Sequence, residues 1–303
     1  MDQIIDLTQD GRHLARDRGF LTVSEGGKRI ARVPLDQVAA VLAHAHGITW
    51  SNALLAALAE QGTPVVICGS NHRPTGLLWP MEGHHQQGAR IRAQWSAPVP
   101  LVKGAWKAIV IAKIGIQAAS LEAIGQSSAP LHMMARRVRS GDTGNIEAQA
   151  ARFYWPLMMG PDFRRNTDGG GINALLNYGY TVLRAATARA VAGAGLHPAI
   201  GIFHANRGNA FALADDLMEP FRPFVDMTVR EIVRREGTDV TPSAKAALAR
   251  LIALDLPLAD ETTPLATVLG RLASSLARSF ETRRLALALP GLPSVDTFRA
   301  LVS

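Results

Sequence analysis

The chain has almost no cysteine: Cys68, in the apolar run PVVICG, is the single one among 303 residues. An internal disulfide is therefore excluded, which suits a reducing cytoplasm and makes Cys68 a small buried hydrophobe rather than a reagent. Charged residues are also scarce, 19% against 48% apolar, a balance that excludes a largely disordered chain and supplies apolar surface for two cores. No apolar run approaches the ~20 residues of a membrane span. The N-terminal MDQIIDLTQDGRH has acids where a secretion signal needs lysines. A soluble cytoplasmic protein is the expectation. Several catalytic strings are missing too: H-E-x-x-H, paired C-x-x-C, G-x-S-x-G and the His-Asp dipeptide. The glycine run Gly169 to Gly171 lacks the lysine and Ser/Thr of a P-loop, so it reads as a turn or helix entry and ATP binding is not indicated.

What is present divides into two parts. Residues 1–88 carry seven Lys and Arg against eight Asp and Glu, whereas residues 89–303 carry 25 against 17, so the net charges are −1 and +8. The basic excess of the second part suits a polyanionic partner, because each neutralised phosphate releases condensed counterions. Arginine pairs at Arg136 and Arg137, Arg164 and Arg165, Arg234 and Arg235, and Arg283 and Arg284 are spread as contacts along a duplex would be, although solvated helix faces look the same.

Local patterns predict an α+β chain: a small β-sandwich over residues 1–80, a polar linker over 81–88 and an all-α domain over 89–303. Phe20 to Ser24 alternates, Gly26-Gly27 makes a hairpin turn and Arg29 to Val33 returns. Val38 to Leu42, Pro64 to Cys68 and Thr75 to Trp79 are of strand type, with one helix between Ser51 as N-cap and Gly62 as stop. Beyond the linker, Lys103 to Ala119, Asn145 to Leu157, Asn173 to Ala192, Pro242 to Leu254 and Pro264 to Leu287 carry apolar residues at helical spacing, with Thr241 as an N-cap. Two histidine pairs, His44 with His46 and His84 with His85, invite a metal reading. His44 and His46 have no nearby carboxylate in sequence, and the adjacent side chains of His84 and His85 diverge, so structural roles are favoured for the first pair and a solvated loop for the second.

The chemistry is concentrated elsewhere. His204 stands in GIFHANRGN, Asp215, Asp216 and Glu219 in FALADDLMEPFRPFVD, and Glu147 upstream in GNIEAQAARFYW. A histidine nitrogen with two carboxylates is a ligand set that holds a divalent metal and leaves positions open for water and phosphate oxygen. If ADDLME is a helix, Asp216 and Glu219 share a face and Asp215 is turned about 100° away. A solvated acidic face has the same spacing, but the surrounding Leu213, Leu217, Met218, Phe221, Phe224 and Val225 are apolar, and acids near a core need a cation.

The string HANRGNAFALADDLMEPFRPFVD, His204 to Asp226, closely resembles the signature of the CRISPR-associated adaptation integrase family, which inserts new spacers into CRISPR arrays. NHRPTGLLWP at Asn71 to Pro80, GNIEAQAARFYWPLMMG at Gly144 to Gly160 and DGGGINALLNYGYTVLR at Asp168 to Arg184 resemble the same family in the same order. The DLMEPFRP form is most similar to the type II version. The resemblance implies that Glu147, His204 and Glu219 are the metal ligands and catalytic residues, with Mg²⁺ or Mn²⁺ as cofactor. It implies that Asp216 binds metal directly or through water. It further implies a homodimer formed largely through the β-rich part, and DNA as partner in the form of spacer precursor and CRISPR repeat. Also implied are the small partner, CRISPR-associated protein two, and, for a type II system, the RNA-guided effector nuclease. The expected reaction is attack of a 3′-hydroxyl on repeat-end phosphodiesters, with Arg136, Arg137, Arg164, Arg165, Arg207 and Arg222 as candidate DNA contacts. Two other readings remain open: a non-catalytic DNA-binding scaffold whose acids pair with Arg207 and Arg222, and a general metal-dependent nuclease.

Overall fold

The computed structural model describes residues 3–69, 74–80, 83–204, 206, 208–259, 261–299 and 301, with the side chains of residues 74, 296 and 299 left aside. Residues 71–73 of the NHRPTGLLWP segment, residues 81–82 of the expected linker and Arg207 lie outside the described residues.

The N-terminal part holds β1 Gln3–Leu7, β2 Arg12–Asp17, β3 Phe20–Glu25, β4 Lys28–Pro34, β5 Val38–Ala43, β6 Thr49–Trp50, α1 Asn52–Glu60, β7 Val65–Cys68 and β8 Pro74–Leu78. They form two four-stranded sheets, ordered β1-β5-β7-β8 and β4-β3-β2-β6. Glu25 pairs with Lys28, and the two intervening glycines have φ of 55° and 79°, the left-handed pair that a tight hairpin needs. Ser51 caps α1 by accepting from the Leu54 N–H, and Gly62 follows its end at φ 67°.

One core lies between the sheets, where Leu7, Val38, Val41 and Val65 meet Leu14, Leu21, Val23 and two leucines of α1. The alternate residues of the first sheet, Ala40, Leu42, Val66 and Cys68, belong to the second, larger core. β5 is therefore buried on both faces, which is why VAAVLA reads as a continuous apolar run. Burial pushes the Cys68 thiol up to about 11, helped by Asp6, as fits an inert side chain.

The larger part contains α2 Gln87–Trp95, α3 Val99–Ala123, α4 Ala129–Arg137, α5 Ile146–Met159, α6 Ile172–Gly193, α7 Ala212–Met218, α8 Arg222–Glu236 and α9 Pro242–Arg250. A hairpin follows, β9 Asp255–Leu258 and β10 Glu261–Pro264, and then α10 Leu265–Thr282 and α11 Val295–Arg299. The hairpin corrects the expectation of an all-α domain. Pro257 cannot continue a helix, Thr262 and Thr263 favour extended backbone, and Ala259 turns the chain at φ 52°. The helix expected from Pro242 to Leu254 accordingly stops at Arg250 and a 3₁₀ turn. The helix expected to reach Leu287 ends at Thr282, where Arg283 adopts φ 57°. Part of the expected linker is also helical, since α2 starts at Gln87.

α6 is the central helix and packs against α7, α8, α9 and α10, while α3 packs against α4, α5 and α8. The two parts are joined through Asp6. Its carboxylate accepts from the Tyr178 hydroxyl at 3.0 Å and lies 3.3 Å from the Lys245 ammonium and 3.7 Å from the His44 imidazole. Among the described residues no helix is long and apolar enough to cross a membrane.

Candidate active site

Four separate elements bring the chemistry together. Glu147 lies in the first turn of α5, a helix whose start is fixed by Asp142: its two carboxylate oxygens accept from the Ile146 and Glu147 N–H groups, both at 2.9 Å. An acid in that turn is further favoured by the helix dipole. Glu219 begins the 3₁₀ turn Glu219–Phe221 between α7 and α8, so the continuous helix expected through ADDLME breaks at the glutamate itself, where Pro220 follows. His204 lies on the loop between α6 and α7. The fourth element is α3, which contributes Lys113.

The two glutamates meet at that lysine. Lys113 is 7% exposed; its Nζ lies 2.6 Å from Glu219 Oε2 and donates to Glu147 Oε1. Glu219, 4% exposed, also pairs through Oε1 with Arg222 at 3.0 Å. Burial opposes ionisation of Glu219, but Arg222 and Lys113 outweigh it and hold the carboxyl below the usual glutamate range. Burial likewise opposes the Lys113 charge, and Glu219 and Glu147 overcome it. The Lys113 ammonium is the one close partner of the buried Glu219 Oε2, so that oxygen depends on a cation for its compensation.

His204 is held by Asp216. The Asp216 carboxylate, fully buried, accepts from the Ile202 and Phe203 N–H groups on Oδ2 at 2.6 and 2.9 Å. Its Oδ1 accepts from the His204 N–H at 3.2 Å and its Nδ1–H at 2.5 Å. Four donors occupy its two oxygens, which places Asp216 behind the imidazole as its orienting group. Nδ1 then carries the proton and Nε2 is left to accept or ligate. The hydrogen bond that His204 donates to Asp216 holds the His204 pKa above its ordinary value. The loop needs Gly201: a Cβ there would stand 2.5 Å from the His204 carbonyl oxygen and 2.9 Å from Asp216 Oδ2. Trp106, two turns before Lys113 on α3, stacks flat on Phe203 with centroids 4.3 Å apart and meets the His204 ring edge-on at 5.9 Å. One face of α3 thus supports both the histidine loop and the paired glutamates.

Asp215 points elsewhere, pairing with Arg184 at 2.6 Å and accepting from the Asn209 amide at 2.8 Å. The arginines sort by surroundings. Arg136 and Arg137 are exposed and, with Lys107 and Arg139, line a cleft of about 690 Å³ beside the start of α5. Arg165 donates to Asn173 and Asn177, and with Arg222 it lines a second cavity of about 1040 Å³ that includes Tyr178, Tyr180 and Lys245. Arg164 donates to the carbonyls of Pro161 and Phe163 on an exposed loop. Arg234 and Arg235 are engaged with Glu231 on α8. His44 stacks on Tyr178, and His84 stacks on His85 and contacts Arg90, so these three imidazoles have structural surroundings.

The same ordered segments match a known family over residues 5–245, described as CRISPR associated protein Cas1. This chain belongs to the Cas1 family. It is 38% identical over 250 residues to the CRISPR-associated endonuclease Cas1 of Neisseria meningitidis serogroup C (strain 8013), covering 81% of this chain and 82% of the relative. Its fold is similar to that of a casposase bound to integration product, with a TM-score of 0.79 at 18% identity over 99% of both chains. It is also similar to a chain of a Cas6-RT-Cas1–Cas2 complex, with a TM-score of 0.74 at 20% identity, over 96% of this chain and 36% of that one.

The Cas1 assignment gives the donor set a chemical test. Among the described residues no three His, Cys, Asp or Glu side chains converge as a ligand group. Two of the three candidate ligands, however, already enclose a positive charge, the Lys113 ammonium, and the third is a histidine oriented from behind by a carboxylate. Carboxylate oxygens with an imidazole so oriented fit Mg²⁺ or Mn²⁺. Lys113, Trp106 and the orienting role of Asp216 were not legible in the sequence. A lysine seven residues from a tryptophan in a largely apolar helix was the one faint signal.

Proposed function

We propose that this Cas1-family chain is a metal-dependent DNA endonuclease and strand-transferring integrase that joins a DNA 3′-hydroxyl to the repeat ends of a CRISPR array. The observation that carries this reading is the His204 imidazole, fixed through Nδ1 by Asp216 beside the paired carboxylates of Glu147 and Glu219. Glu147, His204 through Nε2, and Glu219 would hold Mg²⁺ or Mn²⁺. Bound there, the ion would supply Lewis-acid polarisation of a phosphate and charge stabilisation of the oxygens that exchange on it.

The chain's own residues do the rest. Asp216 keeps the imidazole in one tautomer, and Trp106 and Phe203 lock the loop that presents it. Arg222 offsets the glutamate charge, so a polyanion meets less repulsion. The exposed Lys107, Arg136, Arg137 and Arg139 beside α5 supply cations for phosphates next to Glu147. A 3′-hydroxyl as nucleophile gives strand transfer, and water gives hydrolysis. Relatives named as endonucleases and structures named for an integration product and a Cas1–Cas2 complex support DNA and the small adaptation protein as partners. The homodimer and the type II effector contact belong to the same proposal.

One observation favours a second reading. Glu219 pairs with Arg222, as a non-catalytic scaffold would require. The experiment that separates them offers a labelled duplex with 3′-hydroxyls to a supercoiled plasmid bearing leader and repeat, with the small partner, in Mg²⁺, Mn²⁺ or EDTA. Metal-dependent joints at the repeat ends that vanish in Glu147→Ala, His204→Ala and Glu219→Ala are expected. Joints undiminished in all three variants would sink the site assignment. Binding without covalent product in either metal would favour the scaffold, and random nicking a general nuclease.

A further inference from the structure

Lys113 occupies a position that the proposed function leaves unexplained. It lies midway along α3, and its ammonium contacts a carboxylate oxygen of both Glu147 and Glu219. A buried ammonium is costly unless it is paired, and here the pairing is with two of the three side chains assigned to the divalent ion. An ammonium touching both carboxylates and a dication bonded to both cannot share that point.

One turn further along the same face, Gln117 is 3% exposed and its Oε1 is buried with no donor. Residues four apart on a helix are neighbours, so Gln117 and Lys113 share one buried face of α3. Lysine has a flexible four-carbon stem, and its ammonium can change partner without moving the helix.

We propose that Lys113 is an internal counter-cation that competes with the metal. It holds Glu147 and Glu219 together in the metal-free chain and withdraws toward the vacant Gln117 oxygen as the ion enters. The affinity of the site is set by that exchange, and Lys113 is a positioning residue rather than a ligand. This inference rests on the assignment of Glu147, His204 and Glu219 as metal ligands.

The test measures Mn²⁺ binding to the full chain by electron paramagnetic resonance, in the wild type and in Lys113→Met. Removing the competing charge is expected to tighten binding by about tenfold or more, whereas a merely structural lysine would weaken it. Because the variant risks misfolding, a second measurement uses the wild type alone. The chain has five lysines, so ¹³Cε labelling resolves Lys113, and its resonance is expected to move on saturation with Mg²⁺. Equal or weaker Mn²⁺ affinity in a folded Lys113→Met overturns the competition, as does a resonance unmoved by saturating Mg²⁺; in both cases the metal site itself stands if Mn²⁺ binds the wild type. Absence of Mn²⁺ binding in wild type and variant overturns the ligand assignment and this inference with it.

Discussion

Two buried carboxylates stand seven residues apart near the same site, and their pKa values are shifted in opposite directions. Glu219 faces Lys113 and Arg222, and those charges hold its pKa down against burial. Asp226 is 2% exposed and accepts from the hydroxyls of Tyr180 at 2.5 Å and Tyr154 at 3.1 Å. Burial is the largest influence on it and raises its pKa to about 7, against its two hydroxyl donors and the more distant charges of Arg222 and Lys113. Both acids are buried and both feel the same two cations; the difference is that those cations pair directly with Glu219. Glu219 is thereby kept as an anion ready for a cation. Asp226 clamps α5, α6 and α8 beneath the site through its two tyrosines.

The largest way to break this contrast is to neutralise Glu219. Glu219→Gln leaves Arg222 without its counter-charge and removes a proposed metal ligand, and strand transfer is expected to fall by about 10²–10³-fold or more. Quantifying joined product in Mg²⁺ and Mn²⁺ checks it; a loss under threefold would contradict the assignment. Asp216→Asn comes next. An amide offers a donor where the carboxylate accepts four N–H groups, so the imidazole loses its orienting partner, and Mn²⁺ affinity and activity should fall about 10–100-fold. A binding isotherm alongside the strand-transfer assay would show whether both fall together.

Gly201→Ala tests the loop without touching a charge. The added Cβ meets the His204 carbonyl oxygen at 2.5 Å, and the shift should cost about 1–3 kcal/mol in denaturant unfolding with a smaller loss of activity than Asp216→Asn. Wild-type stability would mean that the loop accommodates the methyl.

Asp226→Asn should affect strand transfer least and pH dependence most. A folded-state pKa raised above the unfolded value means the folded chain binds that proton more tightly. Its stabilising contribution is full below about pH 4, declines as pH rises and is gone above about pH 7. The amide removes that decline, so the difference in unfolding free energy between wild type and variant should change by about 2–4 kcal/mol between pH 4 and 7. A pH-independent difference would show that Asp226 titrates normally.

Much of the fold was legible because it rests on local chemistry. The Gly26-Gly27 turn, the Ser51 and Thr241 caps and the stop at Gly62 each depend on residues within a few positions of one another. The strands β1 and β2 were not anticipated: QIIDL is half-exposed and RHLARD carries charges, and both gain their order from neighbours far along the chain. The β9–β10 hairpin falls almost wholly between two expected helices, where no strand pattern was long enough to read: each strand is four residues and Pro257 and Pro264 interrupt them.

The candidate site shows the same division. Residue types and their order along the chain were sufficient by themselves to indicate the family and to single out Glu147, His204, Asp216 and Glu219, since the choice of side chains that can bind metal or phosphate is a property of sequence. Which acid does what was decided only in three dimensions. Asp215 turns to Arg184, Asp216 to the imidazole and three backbone amides, and Glu219 to Lys113 and Arg222. Those assignments depend on α3, α6 and the His204 loop, which meet only after folding. Periodicity tells which face a residue occupies, and the partner opposite that face is chosen by the packing of distant helices.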